Sequence, residues 1–382
     1  MPYTFNLPSI GALSRGQRIA LLATIEDAFI ISGCPGSGKT TVALLRAKGK
    51  QSDPKSHYTV WANLLYGYLV NLAPELQVHE DHFSTFYSWL WRNYQTAGFQ
   101  NNGAINIDGI VRVLKHGRLL YDELQLDEGQ DLPTEVRCAL TFTTKKLVIC
   151  MDPAQDVNDQ CKPDIDEIER TKKLLESYGK NVRSFKLTTN WRNTQPIFEF
   201  AKAIVPELNS QTDVADFSKQ EGKKPILYEF DNFKNIVQKI KEVIRNEPGR
   251  NIGVLDDSLE KLHAIKTELT INGIQSTLYD SREHRRRSRN EQREFLTSMH
   301  NVVLSTFISC KGLEFNTVII SDIAGLSDSV SKKKGYYVGC TRAQDRLILF
   351  KDSSKYTVPN WFQQIDRNLY ELIREKQVAA PF

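Results

Sequence analysis

Gly33-Cys34-Pro35-Gly36-Ser37-Gly38-Lys39-Thr40 stands between an apolar run, Ala28-Phe29-Ile30-Ile31, and a helix-like run, Thr41-Val42-Ala43-Leu44-Leu45. Strand, glycine-rich loop and helix in that order are the context that the P-loop pattern GxxxxGK[ST] requires. Glycines let the backbone wrap closely enough for its N–H groups to face phosphate oxygens, and the helix N-terminus adds partial positive charge. Lys39 is placed to reach the β and γ phosphates of a nucleoside triphosphate, and the Thr40 hydroxyl to ligate Mg²⁺. The stretch Gly33–Thr41 therefore binds nucleotide, and by itself does not tell a kinase from a GTPase or a motor.

Working outward, residues 13–26 read as a helix opened by a Ser14 cap, with Gln17 in its first turn. A glutamine carries both a donor and an acceptor, as reading an adenine edge demands. Downstream, Tyr58-Thr59-Val60-Trp61 reads as a strand, followed by Ala62-Asn63 and a helix. The aromatic-rich stretch 82–94 reads as a helix that packs Phe83, Trp89 and Leu90 on a core. At its start, Thr85, Phe86 and Tyr87 mix a hydroxyl with rings, which suits a phosphate backbone and stacked bases. Leu124-Gln125-Leu126-Asp127-Glu128-Gly129-Gln130-Asp131 is an apolar strand ending in acids. We assign Asp127 to Mg²⁺ and Glu128 to orienting and deprotonating the attacking water. A further strand at 146–150 ends in Asp152-Pro153-Ala154-Gln155. Gln155 would lie beyond the carboxyl end of a parallel strand, where it can sense the γ-phosphate.

The 382 residues suggest two or three domains with ample core. Composition is that of a globular protein, 40% hydrophobic and 25% charged, with a net charge of +4 that permits a polyanionic partner without demanding one. Cys34, Cys138, Cys150, Cys161, Cys310 and Cys340 are scattered without a CxxC pair, and are expected to be reduced thiols of a cytoplasmic protein. No apolar run approaches 18 residues, so no membrane contact is expected.

The second half repeats an α/β rhythm, with strand-like segments at 225–230, 251–255, 302–306, 316–321 and 346–351 and no second P-loop. Two α/β domains with one phosphate site imply a shared cleft. Thr306–Phe315 reads as a strand-to-helix turn, and Tyr336–Ala343 carries Arg342, a candidate arginine finger. Ahead of both, residues 281–294 hold six arginines against three glutamates. They read either as a solvated loop or, through Arg285, Arg286 and Arg287, as a phosphate-backbone contact.

Taken together, these stretches resemble the superfamily 1 helicases of the UvrD/Rep type, in the family's motif order from about residue 13 to residue 350. Leu13–Ala20 resembles the adenine-reading Q motif, with Gln17 in the key position, and Gly33–Thr40 the Walker A motif. Trp61-Ala62-Asn63 and Thr85-Phe86-Tyr87-Ser88 look like motifs Ia and Ib, which grip single-stranded DNA. Asp127-Glu128-Gly129-Gln130-Asp131 matches the DExQD form of motif II. Asp152–Gln155 resembles motif III. Asn190-Trp191-Arg192 resembles motif IV, in which Trp191 would stack on adenine and Arg192 touch the γ-phosphate. Lys311-Gly312-Leu313-Glu314-Phe315 is similar to the core of motif V, with Glu314 expected near the ribose. Tyr337–Ala343 resembles motif VI, with Arg342 the second finger.

The resemblance implies an α/β fold of two RecA-like P-loop NTPase domains in tandem, 1–188 and 189–382, with ATP in the cleft between them. It implies Mg²⁺-dependent ATP hydrolysis and 3′→5′ translocation or unwinding of single-stranded DNA, with RNA left open. The sequence departs from the family at Ile308, where a histidine is usual, at Tyr87, and after Gln155, where no aromatic follows. The intervals from Lys39 to Asp127 and from Arg192 to Lys311 are short for the family. They leave a reduced helical insertion at about 75–120 and, near 281–294, almost none. A second reading follows from these departures: a DNA-stimulated ATPase sensor within a complex, for example with a nuclease, that does not unwind alone. The oligomeric state is not written in the sequence.

Overall fold

The computed structural model describes residues 7–49, 55–96, 98–100, 104–156, 166–208, 214, 216–324, 329–354 and 357–374. The chain divides into two compact units, Asn6–Asn190 with Glu207–Asp216, and Trp191–Pro206 with Phe217 onward. Each is built on a parallel sheet.

In the first unit the strands are β1 (Ala28–Gly33), β2 (Ser56–Val60), β3 (Phe83–Thr85), β4 (Tyr121–Leu126), β5 (Thr144–Met151) and β6 (Val182–Leu187). Their order across the sheet is β3-β2-β4-β5-β1-β6, and every pairing is parallel. Parallel strands are covered on both faces, which is why β1 is a continuous buried run rather than an alternating one. The register aligns Leu126 with Ile149 and Ser32 with Met151. The segments that follow β1, β4 and β5 therefore leave the sheet side by side at its carboxyl edge, where α/β sheets bind ligands. The core holds Ile30, Phe86, Trp89, Leu90, Leu124 and Ile149, all essentially inaccessible. The aromatic stretch expected to be one helix is instead β3 followed by the helix Phe86–Tyr94, capped by the Thr85 side chain on Ser88 N.

The chain crosses to the second unit through β7 (Thr189–Thr194), which pairs with β8 (Asp216–Lys219) in a two-stranded ribbon. The second sheet comprises β9 (Ile226–Phe230), β10 (Ile252–Leu255), β11 (Thr277–Leu278), β12 (Val302–Ser305), β13 (Phe315–Ile320), β14 (Ala343–Asp352) and β15 (Glu371–Arg374). Its order is β11-β12-β10-β13-β14-β9-β15, again with every pairing parallel. The edge strands β11 and β15 escape notice in the sequence for different reasons: β11 has two residues, too few to show a period, and β15, as long as β10 and β12, is not the continuous buried run that those two are.

Two expectations are corrected here. The arginine-rich stretch is not a loop: it forms the helices Ser281–Arg286 and Arg289–Thr297. Asp280 caps the first, and Ser288 with Glu291 forms a capping box on the second. Thr306–Phe315 leads through successive turns into β13 rather than into a helix. Among the described residues no helix is long and apolar enough to cross a membrane. Cys34, Cys138, Cys150, Cys310 and Cys340 are buried and, among the described residues, in no disulfide, and Cys161 lies outside the described residues.

Candidate nucleotide site

The P-loop joins β1 to the helix Lys39–Gly49. Gly36 and Gly38 lie at φ +74° and +91°, the left-handed region that side chains disfavour. At Gly38 a Cβ would collide with Gln17 Nε2, so the close approach of Gln17 requires glycine there. Gln17 is fully engaged: Nε2 donates to the Ser37 carbonyl at 3.0 Å, and Oε1 accepts from Ser14 N at 2.9 Å in a capping box. In this structure Gln17 braces the loop, whatever it does toward a base. Lys39 is turned onto the loop's own carbonyls, donating to Gly33 O at 2.7 Å and Cys34 O at 3.0 Å, with the Asp152 carboxylate 3.8 Å away.

Thr40 Oγ1 donates to Asp127 Oδ2 at 2.7 Å, and Tyr58 donates its hydroxyl to the same oxygen at 2.9 Å. Asp127 Oδ1 accepts from Glu128 N at 3.0 Å. Burial, with Glu128 beside it, pushes the Asp127 carboxyl up to about 6 despite these bonds. Burial also raises Asp152, against the pull of Lys39. A hydroxyl and a carboxylate joined at the end of a strand form a hard oxygen pair of the kind Mg²⁺ takes. A raised carboxyl is a group that gains from a cation. The residues present thus fit a Mg²⁺-bound nucleoside triphosphate: Thr40 and Asp127 would hold the ion, which would supply charge neutralisation at the phosphates.

Glu128 adopts φ +54°, and its carboxylate accepts from Gln130 Nε2. Gln155 donates to Asp152 Oδ2 at 2.7 Å. Lys39, Thr40, Asp127, Glu128 and Gln155 are thus brought together, as their positions in the sequence imply. Tyr58 and the Gln130–Asp152 link were missed. Tyr58 was legible only as part of a strand, and nothing in a sequence says which strand lies next to the Asp127 strand.

In the second unit the motifs converge as well. Arg192 Nε and Nη2 both donate to Glu314 Oε1, at 2.8 and 2.6 Å, and Gln344 donates to Glu314 Oε2 at 3.1 Å. Burial alone would raise Glu314, but the guanidinium beside it holds it below the usual carboxylate range. Asn193 donates to the Thr341 carbonyl at 3.0 Å. Arg342 is buried and donates Nε to the Val338 carbonyl at 3.1 Å. Trp191 is 40% exposed.

The residues expected to contact nucleic acid fare unevenly. Phe86, expected to face a base, is 1% exposed and part of the core, so it offers no face for stacking. Tyr87 is half-buried between Trp61 and Phe99. Thr85 caps its helix, and Asn63 opens the helix Asn63–Leu76. Thr306 Oγ1 donates to Ser309 Oγ at 3.0 Å. Arg286 is exposed, Arg287 lies over the Phe295 ring at 4.2 Å, and the side chain of Arg285 lies outside the described residues.

Residues 185–289 match the family described as UvrD-like helicase C-terminal domain. Two solved structures share the fold over most of the chain: Dbp5 of S. cerevisiae bound to RNA and ADP BeF3, and a single-substitution variant of Dbp5 with the same ligands. Each is 12% identical and covers 94% of this chain and 90% of its own, with TM-scores of 0.50 and 0.53. The C-terminal domain of a possible DNA helicase from Lactobacillus plantarum matches at 21% identity, covering 48% of this chain and 98% of its own with a TM-score of 0.36. No protein of curated function matches.

Proposed function

We propose that the chain is a UvrD/Rep-like superfamily 1 helicase, an ATP-hydrolysing motor moving 3′→5′ along single-stranded DNA in the cytoplasm. The observation that carries the ATPase part is the assembly of Lys39, Thr40, Asp127 and Glu128 at the carboxyl edge of one parallel sheet. Lys39 leaves the loop carbonyls for the β and γ phosphates. Thr40 and Asp127 hold Mg²⁺. Glu128 takes the proton of the attacking water, and Gln155 senses the γ-phosphate. Arg192 and Arg342 stabilise charge on the transferring phosphoryl group, a contribution of about 10³–10⁵ in rate for one such finger. Gln17, Trp191 and Glu314 are assigned to adenine and ribose. Asn63, Thr85, Tyr87, Thr306 and the basic helices from Ser281 are assigned to the DNA strand.

A second reading, an ATPase sensor subunit of a larger complex with a partner such as a nuclease, is favoured by one observation. Ile308 is 46% exposed and apolar, at a position where the family resemblance calls for a DNA-contacting histidine. ATPase assays with single-stranded DNA, with RNA and with neither, run beside strand displacement on the isolated chain, separate the two. Stimulation by DNA together with displacement supports the motor, and stimulation without displacement supports the sensor. The variant Glu128→Gln is expected to bind ATP and DNA while losing turnover. Multiple-turnover hydrolysis by that variant would sink the assignment of the base.

A further inference from the structure

We propose that Gln130 is a positioning residue that aims the Glu128 carboxylate and ties it to the segment after β5, so that the base and the segment carrying Gln155 are held as one unit. The inference rests on the ATPase reading, which gives Glu128 its role.

Gln130 is fully buried in the single turn Gly129–Asp131 that follows Glu128. Its Oε1 accepts from the backbone N–H of Asp152 at 2.9 Å, and its Nε2 donates to Glu128 Oε2. The orientation of the amide is forced. A backbone N–H can only donate, so it selects the carbonyl oxygen, and the NH₂ is left for the carboxylate, which can only accept. A leucine could fill the space but make neither bond, and a glutamate could make only the first.

The turn is seated for this contact. A Cβ at Gly129 would meet Ile149 Cγ2 at 2.7 Å and the Cys150 carbonyl at 3.4 Å. Only glycine therefore lets the turn lie this close to β5. Glu128 itself sits in left-handed backbone, a conformation a side-chain-bearing residue keeps only when its surroundings hold it. A glutamate has three freely rotating side-chain bonds, and fixing its tip requires a partner at the tip.

Asp152 extends the link. Its Oδ2 accepts from Gln155 Nε2 at 2.7 Å and lies 3.8 Å from Lys39 Nζ, and its Oδ1 accepts from Ala154 N at 3.2 Å. Hydrogen bonds thus run Glu128–Gln130–Asp152–Gln155. Lys39 also has a stake in the third member. A shift of the Asp152–Gln155 turn is transmitted to the base through one buried amide.

The test is ATP hydrolysis by the full chain with saturating single-stranded DNA, for Gln130→Leu and Gln130→Glu, each also combined with Glu128→Gln. Removing the aim is expected to lower kcat by about 10- to 100-fold, the cost of a reacting group misplaced by about 1 Å. KM and the affinity for a fluorescent ATP analogue should stay within about twofold. In the Glu128→Gln background, single-turnover rates should fall less than about twofold further, because a residue acting through Glu128 has nothing left to position. Gln130→Glu keeps the acceptor for Asp152 N–H and opposes the base with a second carboxylate. It carries the test if the leucine variant fails to fold, and it too should lose kcat, with the affinity for the ATP analogue retained as the sign that the site is folded. Wild-type kcat in Gln130→Glu, or a loss that multiplies in full on Glu128→Gln, overturns the proposal. An inactive wild-type chain would sink the proposed function itself, whereas active wild type with equally active variants sinks only the role of Gln130.

Discussion

Each of the two sheets carries a buried aspartate just past the carboxyl end of a strand: Asp127 after β4 and Asp256 after β10. Burial pushes both up to about 6, and both accept from hydroxyls, Thr40 and Tyr58 in one case and Ser321 in the other. Their strongest charged neighbours differ in sign. Beside Asp127 stands Glu128, a second carboxylate, which raises it further. Beside Asp256 stands Lys261, which also binds Asp322 at 2.7 Å and pulls the carboxyl down. Lys261 outweighs Asp322 beside Asp256, whereas the largest charge acting on Asp127 is the carboxylate of Glu128. Like charge held in a fixed place is stabilised by a cation from outside, and the lesson is that these two similar aspartates serve different ends. Asp256 is part of the structure. Asp127 belongs to the proposed nucleotide site.

The largest effects should come from removing the charge that makes either region functional. Asp127→Asn and Arg192→Ala are each expected to lower kcat for ATP by about 10³ or more, measured with saturating Mg²⁺. Asp127→Asn should in addition raise the melting temperature of the metal-free protein, because it relieves a buried charge beside Glu128. A lower melting temperature would break the comparison. Next comes Glu314→Gln, which leaves Arg192 without its charged partner. It should cost about tenfold in kcat, the scale of one charge-assisted hydrogen bond, and so much less than loss of Arg192. An equal loss would mean that Glu314 does more than hold the guanidinium.

A smaller effect tests Asp256 as a structural group. Its folded-state pKa is about 6 against 3.8 in the unfolded chain. Between those values the folded protein keeps a proton that the unfolded chain has lost, so stability falls as pH rises through the window. The total is about 2–3 kcal/mol. Asp256→Asn should flatten that fall in urea melts between pH 4 and 7 while leaving hydrolysis intact. Smallest is the contribution of the basic helices. Replacing Arg286 and Arg287 with alanine should reduce the slope of log affinity for DNA against log salt by about 0.7 for each phosphate no longer neutralised. An unchanged slope would return these helices to a purely structural role.

Where the chemistry is contiguous in sequence, it was legible. Gly33–Thr40, Asp127-Glu128 and Asp152–Gln155 each announce themselves because the loop or strand end and its functional group are neighbours in the chain. Bonds that join separate segments were not. Tyr58 to Asp127, Gln130 to Asp152 and Arg192 to Glu314 depend on which strands lie together. Phe86 was misplaced because composition at a helix start does not say which way the first residue faces. Residues 281–294 were misread because arginine content outweighed a local signal. Ser288 with Glu291 three residues on is a capping box, and it was there to be seen.

The order of the first sheet sets a timetable for its making. β1 carries the P-loop, yet its partners are β5 and β6, which run from Thr144 and to Leu187. During synthesis at about 5–20 residues per second, β1 leaves the ribosome many seconds before either partner exists. Its apolar residues, Ala28 to Ile31, stay unpaired for that interval. The nascent chain has the sequence that grips phosphate long before it has the sheet that shapes it, and a chaperone that shields β1 would find its moment there.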